Sequence, residues 1–332
     1  MTAGRIKKIE STDSISDYCC DSLFDLETLD DVLRLIRNAR KHGENEDVKA
    51  LYAIRLQIKA INTMVGLSDL KKRLLYQILF FCQNLQGDEM MHTVLMGPPG
   101  VGKTTVAKLI GLIYTKLGFL SKGTFTAVGR DQLIGQYLGE TSIKTEKVLK
   151  SCIGGVLFID EAYSLGNGGE SDSYSKECID TINKFLSEHT KDFVCIIAGY
   201  PEQLNTCFFE KNPGLDRRFP WKYNLEPYKT NELNKIFELQ LLRGKWKFRK
   251  PRYAIAVENI INHNKELFKN NGGDTENFVN MCKMAHGKRV FGQRKTWKRF
   301  LVRNDIVKGF EMYKSNKEKK SDPSISNFMM YT

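Results

Sequence analysis

Residues Gly97 to Thr104 read GPPGVGKT, between the apolar run TVLM and the helix-like stretch TVAKLIGLIYTKL. The segment satisfies G-x-x-x-x-G-K-[ST], the pattern of a phosphate-binding loop between a strand and a helix. Glycines at 97, 100 and 102 let backbone N–H groups curl around phosphate oxygens at a helix N-terminus. Lys103 brings positive charge to the outer phosphates, and the Thr104 hydroxyl can hold Mg²⁺. Pro98, Pro99, Val101 and Thr105 complete the set of candidate nucleotide contacts.

The rest of the chain can be arranged around that loop. Short apolar runs at 93–96, 124–128, 155–160, 193–198 and 221–225 are separated by helix-length segments. This alternation predicts an α/β domain with a mainly parallel sheet. Before it, Leu26, Leu29, Leu33 and Ile36, then Val48, Leu51, Ile54, Ile58 and Ile61, recur at helical spacing and predict a hairpin of two helices. After about 228 the pattern is helical again, with a loop at Asn270 to Asp274. The expected organisation is a mobile arm over 1–24, a helical hairpin over 25–63, an α/β domain over 64–227, a helical lid over 228–312 and a basic flexible tail over 313–332.

A second chemical signal follows the loop by about fifty-five residues. The strand-like GGVLFIDEA ends in Asp160 and Glu161. Side chains alternate along a strand, so adjacent carboxylates at its end can serve different tasks. Asp160 would bind the water shell of Mg²⁺, and Glu161 would polarise an attacking water, since phosphoryl transfer is mostly positioning and charge stabilisation.

The two motifs together resemble the Walker A and Walker B elements of AAA+ ATPases. QYLGETSIKTEKVLKSCIGGVLFIDEAYSL, DSYSKECIDTINKFLSEH, IIAGYPEQL and NPGLDRRFP are similar to the CbxX/CfqX group, which includes red-type Rubisco activase and stage V sporulation protein K. The resemblance spans roughly 64–310. It implies a P-loop core with a five-stranded parallel sheet and a small lid, binding ATP and Mg²⁺ and assembling as a homo-hexamer that remodels or threads a protein substrate.

Carried over by position, Val65 and Gly66 of MVGL would contact the base, and Tyr137, Leu138 and Gly139 would form the first pore loop. GNGGESDSY at 166–174 takes the place of the second pore loop. In NPGLDRRFP, Arg218, and less so Arg217, would act on the ATP of a neighbouring subunit, because a guanidinium stays charged and spreads its donors over transition-state oxygens. The chain departs from the wider family in two places. The fourth strand ends in Ala198, Gly199 and Tyr200 instead of a polar sensor residue, usually Asn. GGDTENF (272–278) stands where relatives carry a GNAR-like arginine, leaving Arg289 as a substitute candidate.

Charge suggests a rival. The formal net charge is +12, and the whole excess lies after residue 240, concentrated in RGKWKFRKPR (243–252) and QRKTWKRFLVR (293–303). Such segments can neutralise phosphates and stack bases on Trp246 or Trp297, which would make the protein a nucleic-acid-associated motor or loader. They equally suit a solvated basic domain with an aromatic core. A non-hydrolysing ATP-binding scaffold is the third reading. The eight cysteines show no zinc spacing, and the histidines form no ligand or triad pattern. No apolar run approaches the ~18 residues of a membrane span, so a soluble chain in a reducing, cytoplasmic compartment is expected, with no membrane partner and the nucleus left open.

Overall fold

The computed structural model describes residues 26–38, 45–137, 139–166, 173–212, 214–294 and 298–321. Three short helices come first: α1 (Leu29–Arg37), α2 (Glu46–Ala53) and α3 (Arg55–Thr63). Thr28 and Asp31 cap α1 reciprocally, the Thr28 N–H donating to Asp31 Oδ2 at 2.9 Å. The expected second helix of the hairpin is broken at Ile54, which is fully buried and leaves helical geometry at ψ 8°. The three helices share one apolar cluster with the α/β domain, with Val32, Leu51 and Ile58 in the same core as Ile110 and Phe81. They are part of the core.

The α/β domain follows as α4 (Ser68–Cys82), β1 (Thr93–Met96), α5 (Lys103–Lys116), β2 (Phe125–Val128), α6 (Arg130–Leu133), α7 (Glu140–Ser151), β3 (Val156–Ile159), α8 (Ser173–Glu188), β4 (Val194–Gly199), α9 (Pro201–Leu204) and β5 (Trp221–Asn224). The five strands are parallel in the order β2-β3-β4-β1-β5, as the apolar runs predict. Helices cover both faces, so alternate strand residues enter two separate cores: Val156 and Phe158 one, Leu157 and Ile159 the other. Phe158 is 1% exposed and stacks on Phe125 with centroids 5.6 Å apart. Truncation to Ala would cost about 3–5 kcal/mol.

The lid comprises α10 (Thr230–Arg243), β6 (Lys247–Phe248), α11 (Ala254–His263), α12 (Gly272–Arg289), β7 (Phe300–Leu301) and α13 (Arg303–Ser321). The parallel β6–β7 ladder is too short to leave a periodic signature and is an addition to the expected all-helical lid. The segment from 313 expected as a tail is instead helical to Ser321. Tyr313 is buried and donates to the Leu267 carbonyl at 2.7 Å, while Lys317 pairs with the buried Asp274 at 2.7 Å. Residues 322–332, and the arm over 1–24, lie outside the described residues.

Candidate active site

The phosphate loop joins β1 to α5, and its shape needs glycine. A Cβ on Gly97 (φ +149°) would lie 2.3 Å from the Leu225 carbonyl oxygen, and one on Gly100 (φ +74°) 2.0 Å from that of Asn270. Gly102 caps α5 without a side-chain hydrogen bond, which leaves the helix N-terminus with open donors.

The lid holds this loop from behind. The Asn271 Nδ2 donates to the Pro99 carbonyl at 3.2 Å, the Gly272 N–H to that of Gly100 at 3.0 Å, and the Tyr228 hydroxyl to that of Val101 at 2.8 Å. In a trans peptide the N–H points opposite the preceding carbonyl. Fixing these three carbonyls therefore turns the N–H groups of Gly100, Val101 and Gly102 the other way, and among the described residues none of them has a protein acceptor. Asn271 is buried, accepts the Tyr228 N–H at 2.9 Å and has φ 50°, ψ −119°, a region that nearly always belongs to glycine. Nothing in the sequence marks Tyr228, Asn271 or Gly272 as a contact of the phosphate loop.

A cleft of about 640 Å³ opens between the loop, the carboxyl ends of β3 and β4, the end of α3 and the lid. Lys103, Thr104, Thr105, Asp160 and Glu161 all line it, as do Pro99, Gly100 and Gly102. Gly97, Pro98 and the fully buried Val101 shape the loop from outside the lining. The Lys103 ammonium donates to the carbonyls of Gly97 and Pro98, each at 2.9 Å. Desolvation lowers its pKa, opposed by the charges of Asp160 and Glu161.

Strand alternation would separate the two carboxylates, but Glu161 adopts φ 51°, and that left-handed turn brings both into the cleft. Tyr163 and Tyr200, whose rings are 6.0 Å apart, close this side, with the Lys103 ammonium 5.9 Å from the Tyr200 ring centre. Burial, then the Glu161 charge, raises the Tyr163 hydroxyl pKa. Tyr200 thus occupies the strand end where a polar sensor residue is usual. Among the described residues no cluster of three or more His, Cys, Asp or Glu could cage a metal. Thr104 and Asp160, the two expected metal contacts, both line the cleft.

At the end of α3, Val65, an expected base contact, lines the cleft with Ala60, Thr63 and Met64. Gly66 does not; its φ of +64° serves a close approach, since a Cβ there would meet Glu232 Oε1 at 2.5 Å. The lid contributes Ile236, Gln240 and Arg243 from one face of α10, and Glu276 from the first turns of α12. Arg289 does not substitute for the missing arginine. It sits at the other end of the 18-residue α12, about 25 Å away along the axis, and binds Asp305 at 2.7 and 2.9 Å.

Other predicted residues lie apart from the cleft. β5 pairs in parallel with β1, so Arg217 and Arg218, before Trp221, are at the opposite end of the sheet from the phosphate loop. Arg218 donates to the Ser187 hydroxyl and the Gly214 carbonyl, whereas Arg217 is exposed and unpaired among the described residues. Tyr137 is 69% exposed, which removes a core role, and Gly139 (φ 82°) caps α7 behind it. Two residues before Tyr137 the chain is closely packed, since a Cβ on Gly135 would meet that of Glu140 at 2.7 Å. Leu138 and most of the second pore-loop segment (167–172) lie outside the described residues.

A strand–loop–helix phosphate site with paired carboxylates on a parallel sheet defines a P-loop ATPase. A sequence profile of the ATPase family associated with various cellular activities (AAA) matches residues 93–210. The chain is 36% identical to a putative cfxQ-like protein of Acanthamoeba polyphaga mimivirus over 88% of this chain and 72% of that one. It is also 36% identical to stage V sporulation protein K of Bacillus subtilis over 61% and 62% of the two chains, and 30% identical to the CfxQ homologue of Pyropia yezoensis over 79% and 84%. The chain belongs to the CbxX/CfqX branch of the AAA+ ATPases. Its fold is that of the FIGL-1 AAA domain crystallised with ADP (TM-score 0.55, 18% identity, 81% and 88% of the chains) and of a Thermotoga maritima RuvB mutant (0.53, 18%, 77% and 73%).

Proposed function

We propose that this protein hydrolyses ATP in a Mg²⁺-dependent reaction at subunit interfaces of a homo-oligomeric ring, and that turnover remodels or threads a protein substrate. The observation that carries the reading is the cleft itself: the donors of the phosphate loop, Lys103, Thr104, Asp160 and Glu161 face one space. Lys103 and the loop N–H groups bind the phosphates, Thr104 and Asp160 hold the metal, and Glu161 accepts a proton from the attacking water. Val65 packs against the base.

The α/β domain supplies Lys103 as its one cation among the residues lining that cleft, and Arg243 belongs to the lid. A transition-state arginine from a neighbour would complete the site. Arg217 and Arg218 are suited to it because they lie at the far end of the sheet, beyond reach of their own phosphates. Arg218, favoured by its place before Phe219, also holds the turn through Ser187 and Gly214; Arg217 is free to extend. Exposed Tyr137 beside Gly139 suits a loop that grips polypeptide through apolar area. The six cysteines among the described residues are free thiols, as a reducing cytoplasm would keep them, and no described helix is long and apolar enough to cross a membrane.

The test is turnover per chain across a concentration series, with and without an unfolded polypeptide. The rate should rise with concentration and with polypeptide. Mixing Glu161→Gln chains with Arg217→Ala, Arg218→Ala double-variant chains should restore activity at mixed interfaces; no restoration would argue against an arginine acting in trans. Tyr137→Ala should hydrolyse ATP normally and fail to remodel, and normal remodelling by it would exclude the pore reading.

A further inference from the structure

The two basic segments are separated by forty residues, yet the structure makes them one surface. β6 pairs with β7, Lys247 opposite Phe300 and Phe248 opposite Leu301. The Lys247 N–H donates to the Arg299 carbonyl at 3.0 Å, the Arg249 N–H to that of Leu301 at 2.8 Å, and the Arg299 N–H to His286 Nε2 at 3.4 Å. Residues 245–250, 286–291 and 298–301 therefore form the outer end of the lid, away from the α12 N-terminus that holds the phosphate loop.

Nothing within this surface offsets its charge. No Asp or Glu occurs from 239 to 257 or from 277 to 304. Asp305 is buried and consumed by Arg289 and His286. Lys245, Lys247, Lys250, Lys288, Lys298 and Arg299 are exposed and form no salt bridge among the described residues. Gathering like charges costs free energy that the fold does not recover internally, so the surface is complementary to an external polyanion.

The aromatics narrow its identity. Trp246, a candidate for stacking, is unavailable: its ring packs edge-on against His286 with centroids 4.9 Å apart. Trp297 lies outside the described residues. Phe291, directly after α12, is 93% exposed, and Phe300, on the ladder, 40%. Exposed rings set among unpaired cations suit a chain that offers both phosphates and unstacked bases.

We infer that the outer end of the lid binds single-stranded nucleic acid, with its cations on the backbone and Phe291 under a base. The inference does not depend on the ATPase mechanism. The test is fluorescence anisotropy of a labelled oligothymidylate with the full chain, from about 50 to 200 mM salt. Affinity should fall linearly on log–log axes. Lys247→Glu, Lys250→Glu, Lys298→Glu should weaken binding at least ten-fold and flatten the salt slope by about 0.7 for each phosphate no longer neutralised. Phe291→Ala should weaken it about five-fold or more with the slope unchanged.

None of these four residues lines the nucleotide cleft, so basal ATP turnover reports that each variant is folded. Absence of binding at low salt, or unchanged binding by the triple variant, overturns the inference. So does equal binding of polyglutamate or of duplex with Phe291→Ala silent, which would make this an acidic-protein or duplex surface.

Discussion

The two walls of the nucleotide cleft are built from different chemistry. The α/β wall places three ionised groups, Lys103, Asp160 and Glu161, at the ends of β1 and β3. The lid wall meets the phosphate loop through neutral groups: the Asn271 amide, the Tyr228 phenol and the Gly272 N–H. Its charged side chains on the cleft, Arg243 and Glu276, are exposed. Ionised groups alter the energy of developing charge, whereas neutral hydrogen bonds to backbone fix a shape. The first wall should govern rate and the second affinity.

The largest effect that would test this division is Glu161→Gln. Losing a positioned base should reduce turnover by about 100-fold or more, while ATP affinity, measured by equilibrium binding, stays within a few-fold. Undiminished turnover would remove Glu161 from the chemistry and with it the role of the α/β wall. Next in size is Tyr228→Phe, which keeps the ring and deletes the donor to the Val101 carbonyl. One hydrogen bond is worth about 1 kcal/mol, so KM for ATP should rise about five-fold with kcat little changed. A fall in kcat at constant KM would mean that the lid acts on the transition state, and the contrast between the walls would fail.

The same contrast explains what the sequence could reveal. All five strands lie within a residue of the apolar runs, because a sheet covered on both faces needs continuous apolar strands, and the charged residues of the α/β wall fall in two short local motifs, Lys103 in one and Asp160 and Glu161 in the other. The lid wall is made of single residues acting at long range. Asn271 is 172 positions from Pro99, and its amide carries no pattern that could announce the contact. The turn at Glu161 is equally hidden, since a non-glycine left-handed residue follows from packing around it and not from its identity. Composition also misleads at the C-terminus. KSNKEKK reads as a solvated tail, but Tyr313 and Lys317 anchor it on one side of a helix.

A smaller effect separates by pH the two domains that carry the walls. Each domain contains a buried histidine away from the cleft. His92, just before β1, accepts the Cys195 N–H through Nδ1 at 3.1 Å, and its Nε2 has no partner among the described residues. Burial, assisted by the charge of Arg218, pushes its pKa down to about 3. The native ring stays neutral while the unfolded chain takes up a proton below about pH 6.5. Its stabilising contribution is complete above that value and is lost as pH falls towards 3, by up to about 1.4 kcal/mol per unit.

In the lid, His286 faces Asp305 at 3.1 Å. Burial disfavours the Asp305 carboxylate, but hydrogen bonds from Arg289, the Val302 N–H and His286 outweigh it and hold the pKa below the usual value. That contribution is present above about pH 4 and is lost only as pH falls through the lower native value. Mild acid should therefore loosen the α/β domain before the lid. Hydrogen exchange at pH 5 and 7, corrected for intrinsic rates, should show β1 and β4 losing protection while α12 and α13 keep theirs. His92→Asn, which retains an acceptor for Cys195 without a titrating ring, should remove the difference; earlier loss in α12 would assign the acid sensitivity to the lid.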